Sequence, residues 1–112
     1  MSRHKPILYI VVPCYNEEQV LPHTNPMFVE KIEQLIKKEE IHCHSKIMYV
    51  NDGSKDRTWE LIESYAKSIP SVVGVSQSRN RGHQSSVLAG MYEAIQFADI
   101  VITIDADGQD DI

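Results

Sequence analysis

Basic residues are scarce in this chain: 11 Lys and Arg stand against 16 Asp and Glu in 112 residues, a formal charge of -5. A protein that grips nucleic acid through its phosphates needs a basic face, so no nucleic-acid partner is expected. Long apolar runs are also missing, and no stretch approaches the roughly 18 to 20 residues that cross a bilayer. The N-terminal Met1-Ser-Arg-His-Lys-Pro has the charge of a signal peptide, but the apolar run from Ile7 to Val12 ends at Pro13 without a cleavage pattern. Cysteine is limited to Cys14 and Cys43, and Cys14 falls at the end of an apolar run, so no disulfide framework is expected. A reducing, cytoplasmic setting is the simplest expectation.

Several catalytic and binding signatures are absent too. There is no G-x-G-x-x-G for a dinucleotide and no G-x-S-x-G nucleophile elbow. Gly53-Ser54-Lys55 is not a P-loop, because Ser54 rather than Gly precedes the lysine. An EF-hand is excluded by Asp110, which stands where that loop needs Gly. His42-Cys43-His44 offers side chains of metal-ligand type, but three adjacent residues with no distant partner pair match no zinc spacing and read as a polar loop.

What remains is 42% apolar composition in a chain long enough for one core. Ile7 to Pro13 is apolar without alternation, the pattern of a strand buried on both faces of a parallel sheet. After a polar, proline-interrupted stretch from Asn16 to Pro26, Phe28, Val29, Ile32, Leu35 and Ile36 recur at helical spacing, ending near Glu40. Ile47 to Val50 predicts a second strand. Trp59, Ile62, Ala66 and Ile69 mark a second helix, with Asp56 as its N-cap and Pro70 as its stop. Val72 to Val75 predicts a third strand, and Ile100 to Ile104 a fourth. Between them Gly82 to Ala98 predicts a helix with Val87, Leu88, Met91, Ala94, Ile95 and Ala98 on one face. The order β-α-β-α-β-α-β predicts an α/β, Rossmann-like, mostly parallel sheet flanked by helices.

Ligands of such sheets lie beyond the carboxyl ends of the strands. Asp105-Ala106-Asp107-Gly108-Gln109-Asp110-Asp111 follows the fourth strand, and four carboxylates in seven residues repel one another unless a cation binds or some stay protonated. The same residues also read as a solvated acidic turn or a helix start. Asp52, after the second strand, suits a base or a ribose, or simply a turn. Tyr15 and Glu17 offer a ring and a carboxylate to a base, or only packing and a helix start. Ser78-Arg79-Asn80-Arg81-Gly82 puts guanidinium groups before a helix, which suits phosphate or a surface turn.

Together and in order, VVPCYNEE (11–18), VNDGSKDRTWE (50–60), SRNRGHQSSVLAGMYEA (78–94) and ITIDADGQDD (102–111) resemble the family 2 glycosyltransferases over nearly the whole chain. The polyprenyl-phosphate sugar transferases, with dolichyl-phosphate mannose synthase, are the nearest branch. Gly108 departs from a position that is often Leu there.

The resemblance implies a GT-A fold and an inverting hexosyltransferase. The donor would be a UDP- or GDP-linked sugar, and the acceptor a polyprenyl phosphate or a surface glycan of the cell envelope. By the same analogy Pro13, Tyr15, Glu17, Asp52, Arg79, Asp105 and Ala106 line the nucleotide. Asp105 and Asp107 form a D-x-D pair and, with Gln109, hold Mg2+ or Mn2+. Residues 1–112 would be the N-terminal nucleotide-sugar-binding part of the domain, inactive alone. The catalytic base, and membrane helices holding the parent at the cytoplasmic face, are expected downstream. Two other readings are a nucleotidyltransferase on a related sheet, which needs a triphosphate loop not found here, and a non-catalytic nucleotide-binding module.

Overall fold

All seven residues of β1, Leu8–Cys14, are buried, as a continuous apolar run between two layers requires. A computed structural model describes residues 5–77 and 83–107 of the chain. After β1 come α1 (Leu21–Lys37), β2 (Lys46–Asp52), α2 (Thr58–Ser68), β3 (Val72–Gln77), α3 (His83–Ile95) and β4 (Ile100–Thr103). The expected order is the observed one.

The strands form one sheet in the order β3-β2-β1-β4, and every pairing is parallel. Alternate residues serve opposite layers, as the two-residue period of a strand dictates. Leu8, Ile10, Val12, Ile47 and Tyr49 join Phe28 and Ile32 of α1 and Ile62 of α2 in one core. Tyr9, Val11, Met48 and Val50 join Ala94 of α3 in the other.

Two helices depart from their expected limits. The first begins at Leu21, not Phe28, because proline does not break a helix at its start: Pro22 lies in the first turn, where N–H groups have no helical partner. Pro26 lies inside the helix and forfeits one backbone bond. Burial offsets that loss, since Leu21, Thr24 and Asn25 all pack inward. Asn25 Oδ1 accepts a buried 2.6 Å hydrogen bond from the Tyr49 hydroxyl of β2. This bond ties α1 to β2 inside the core.

The third helix buries only part of its expected apolar face. Leu88 is 56% and Ile95 64% exposed, while Ser86, Gly90 and Ala94 face inward. These small residues, four apart, let α3 sit low on the sheet. A Cβ built at Gly90 would lie 2.8 Å from Val50 Cγ2 and closer still to Val11 Cγ1. The Ser86 hydroxyl also donates to Gln77 Oε1 at the end of β3. Ala94 is buried as the apolar pattern implies, but the closeness of the backbones favours small side chains over Leu88 and Ile95.

Candidate functional site

The sheet order creates a switch point. From β1 the chain moves outward through β2 to β3, then returns to the other flank of β1 as β4. α1 and α2 pack on one layer of the sheet and α3, which leads into β4, on the other, so the ligand crevice expected of such a sheet lies at the carboxyl ends of β1 and β4. Pro13 sits at its edge. The β1–β4 pairing stops at Val11↔Thr103, followed by a last hydrogen bond from Ile104 N–H to the Val11 carbonyl. The missing N–H of Pro13 thus falls on the side where β4 has already ended, so the proline costs no ladder bond. Continued by two residues, the same register sets Asp105 alongside Pro13.

Past Pro13 the chain bends sharply. Asn16 has φ 54°, a left-handed conformation that Asn tolerates better than most residues. Tyr15 next to it is 39% exposed at the mouth of the crevice. The bend is held by the loop after β2. Asn16 N–H donates to Ser54 Oγ at 3.0 Å, and Lys55 N–H donates back to Asn16 Oδ1 at 2.8 Å. Glu17 N–H donates to Thr58 Oγ1 at 2.8 Å, and Glu18 N–H to Asp56 Oδ2 at 3.3 Å.

Asp56 was expected to cap α2. Arg57 occupies the cap position without a side-chain bond, and Asp56 stands one residue earlier. Its Oδ1 accepts from both the N–H and the hydroxyl of Thr58, so one carboxylate serves the helix start and the neighbouring loop together. Burial pushes its pKa up, but the bonds from Thr58 and Glu18 outweigh that and hold it below the ordinary 3.8. Ser54, Asp56 and Thr58 are residues that sequence patterns assign to turns. Their function of shaping the β1 loop is visible only once β1 and β2 are neighbours.

That clamp aims Glu17 at the acidic strand end. Its carboxyl pKa is raised above the ordinary 4.5, first by burial and then by the charges of Asp107, Asp56 and Asp105. Glu17, Asp105 and Asp107, some 90 positions apart in sequence, therefore share one electrostatic environment. Asp105 and Asp107 are exposed, and Ala106 between them is buried in the core at 2% exposure, which anchors the acidic turn. A set of hard carboxylate oxygens suits Mg2+ or Mn2+.

The remaining expected residues divide. Asp52 ends β2 opposite Gln77 and is buried at 3% exposure. Arg79 and Gln109 lie outside the described residues. Cys14, 1% exposed beneath the crevice, is no nucleophile, since burial and then Glu17 push its thiol pKa far upward. Both cysteines are free thiols.

Residues 9–112 match the family model for glycosyl transferase family 2. An uncharacterized glycosyltransferase of Bacillus subtilis, YkoT, is 46% identical over 112 residues, all of this chain and 33% of its own length. A prophage bactoprenol glucosyl transferase homolog of Escherichia coli is 38% identical over 104 residues, 92% of this chain and 31% of its own. The chain spans about a third of the length of these relatives.

Among solved structures, S. aureus TarS in complex with UDP superposes with a TM-score of 0.70 at 19% identity, covering 90% of this chain and 27% of that one. A mannosyltransferase of Pyrobaculum calidifontis, in complex with GDP-Man and Mn2+, superposes at 0.62 with 22% identity, covering 93% and 28%. At that identity the likeness is one of fold, the GT-A type. On the family match across nearly all of its length, the chain belongs to glycosyl transferase family 2.

Proposed function

We propose that residues 1–112 are the nucleotide-sugar-binding part of an inverting hexosyltransferase that works with Mg2+ or Mn2+. The observation that carries this reading is the exposed pair Asp105 and Asp107 just past β4 at the switch point, near enough to Glu17 for their charges to raise its pKa. Neighbouring carboxylates repel one another unless a cation offsets them, and a nucleoside diphosphate brings the same need, a cation to offset its phosphates.

Asp105 and Asp107, with Gln109, would hold the metal. When bound, it supplies positive charge to a leaving nucleoside diphosphate. The protein's own groups do the positioning. Tyr15, exposed at the mouth, covers the base, and Glu17 and Asp52 accept hydrogen bonds from base or ribose. Pro13 and Ala106 form the apolar floor between them. Arg79 approaches the phosphates.

The acceptor and the catalytic base belong to the two thirds of the relatives' length that this chain does not span. A polyprenyl phosphate acceptor is favoured by the names of several relatives, among them a dolichyl-phosphate beta-glucosyltransferase of Trichomonas vaginalis, 38% identical over 103 residues. A parent acting on that acceptor works at the membrane surface, although no helix among the described residues is long and apolar enough to cross one.

Calorimetric titration with UDP and with GDP, each with and without Mn2+, tests the proposal. Metal-dependent binding of one nucleotide, lost in an Asp105→Ala/Asp107→Ala double variant, is the expected result. Binding of neither nucleotide by the folded full-length parent would sink it.

A further inference from the structure

At the opposite, amino-terminal end of the strands, before β2, the chain makes a tight turn. Ser45 N–H donates to the His42 carbonyl at 3.0 Å, closing a four-residue turn whose central positions are Cys43 and His44. The turn is fastened at both ends. His42 N–H donates to the Pro6 carbonyl at 2.8 Å, and Ser45, wholly buried, accepts the Leu8 N–H on its hydroxyl at 2.9 Å. Such a frame brings together three side chains whose sequence spacing matches no zinc motif. The two imidazole rings are 4.7 Å apart, and one ligand atom from each of His42, Cys43 and His44 falls within 4.8 Å of the others.

We propose that this turn binds one transition-metal ion of the Zn2+ class through the imidazoles of His42 and His44 and the thiolate of Cys43. Two nitrogens and one sulfur form a borderline-to-soft donor set, unlike the hard oxygens of the acidic crevice. Cys43 and His44 are exposed and His42 is half-buried, so the ion enters from solvent and water completes a four-coordinate shell. The neighbouring cation does not oppose it: the Lys46 ammonium is turned away to the Pro70 carbonyl at 2.7 Å.

Binding rearranges two bonds. The Cys43 S–H proton leaves to solvent as the sulfur–metal bond forms. His42 Nδ1 now accepts the His44 N–H at 3.0 Å, so ligation by His42 requires that contact to open or the ring's protons to redistribute. The seven residues of β1 run between the two sites, about 20 Å at 3.3 Å per residue. The turn is therefore independent of the nucleotide crevice.

Titration of the chain with Co2+ tests the site. The expected result is one Co2+ per chain with a thiolate-to-cobalt charge-transfer band that Zn2+ displaces, accompanied by a shift of the His44 backbone amide resonance. Cys43→Ser should abolish the band and His44→Ala weaken binding by about tenfold or more. Asp105→Ala/Asp107→Ala should leave it intact. No charge-transfer band, a band surviving Cys43→Ser, or one Co2+ bridging two chains would each overturn the assignment.

Discussion

Thr58 Oγ1 accepts the backbone N–H of Glu17 at 2.8 Å while its own hydroxyl proton goes to Asp56. One side chain at the start of α2 thus fixes where the acidic residue of the β1 loop stands. Thr58 is wholly buried, so water cannot replace either bond.

Thr58→Val keeps the volume but removes both bonds. Leaving Glu17 N–H without its acceptor should cost about 1 to 3 kcal/mol of stability, measured by urea unfolding. Mn2+-dependent nucleotide affinity should fall with it, because Glu17 is released from its fixed position. Unchanged stability together with unchanged affinity would mean that the clamp does not shape the site.

Glu17 carries a pH signature of its own. Its folded pKa lies above the ordinary 4.5, so between those two values the folded chain binds more protons than the unfolded one. Stability attributable to this group therefore falls as pH rises through that window and stays lower above it. Glu17→Gln should stabilise the chain at neutral pH and have little effect below about pH 4.5. Unfolding curves of both forms across that range check the sign. Saturating Mn2+ should reduce the advantage without erasing it, because the cation offsets the repulsion from Asp105 and Asp107 but not the burial that is the first cause of the shift.

Gly90 tests how α3 is seated. Alanine is the better helix former by about 1 kcal/mol, yet its methyl group would collide with Val11 and Val50. Overpacking of this kind costs about 1 to 3 kcal/mol, so Gly90→Ala should lower the melting temperature. Ser85→Ala, at an exposed position of the same helix, should leave it unchanged or raise it. A gain for both substitutions would mean that α3 rides higher on the sheet than described.

Much of this fold could be read from the sequence because its elements announce themselves locally. Buried strands give unbroken apolar runs such as Ile7 to Pro13, and α2 repeats its apolar residues at helical spacing. Strand order was not local information, and neither was the face of α3. Gly90 says nothing about contact until Val11 and Val50 are placed beneath it. The start of α1 was hidden for a related reason: Asn25 looks like a loop residue unless Tyr49 stands opposite it.

The candidate site divides along the same line. Asp105 and Asp107 were conspicuous by crowding alone. Glu17 was suggested by its place after a strand, but its electrostatic link to those aspartates depends on β4 lying beside β1. Ser54, Asp56 and Thr58 carried only turn and capping signals, and their hold on the β1 loop is a tertiary fact.

The placement of β4 also sets a folding order. Ile7 N–H donates to Asp99 Oδ2 across 92 residues, whereas β1–β2 and β2–β3 pairings close much shorter loops. Loop-closure entropy favours the three-strand part first, leaving β4 to dock last. The crevice is thus walled by strands whose pairings close loops of very different length. Amide hydrogen exchange should be faster at β4 than at β1 or β2. A ligand that bridges the two walls should slow that exchange, so occupancy and completion of the sheet become a single thermodynamic event.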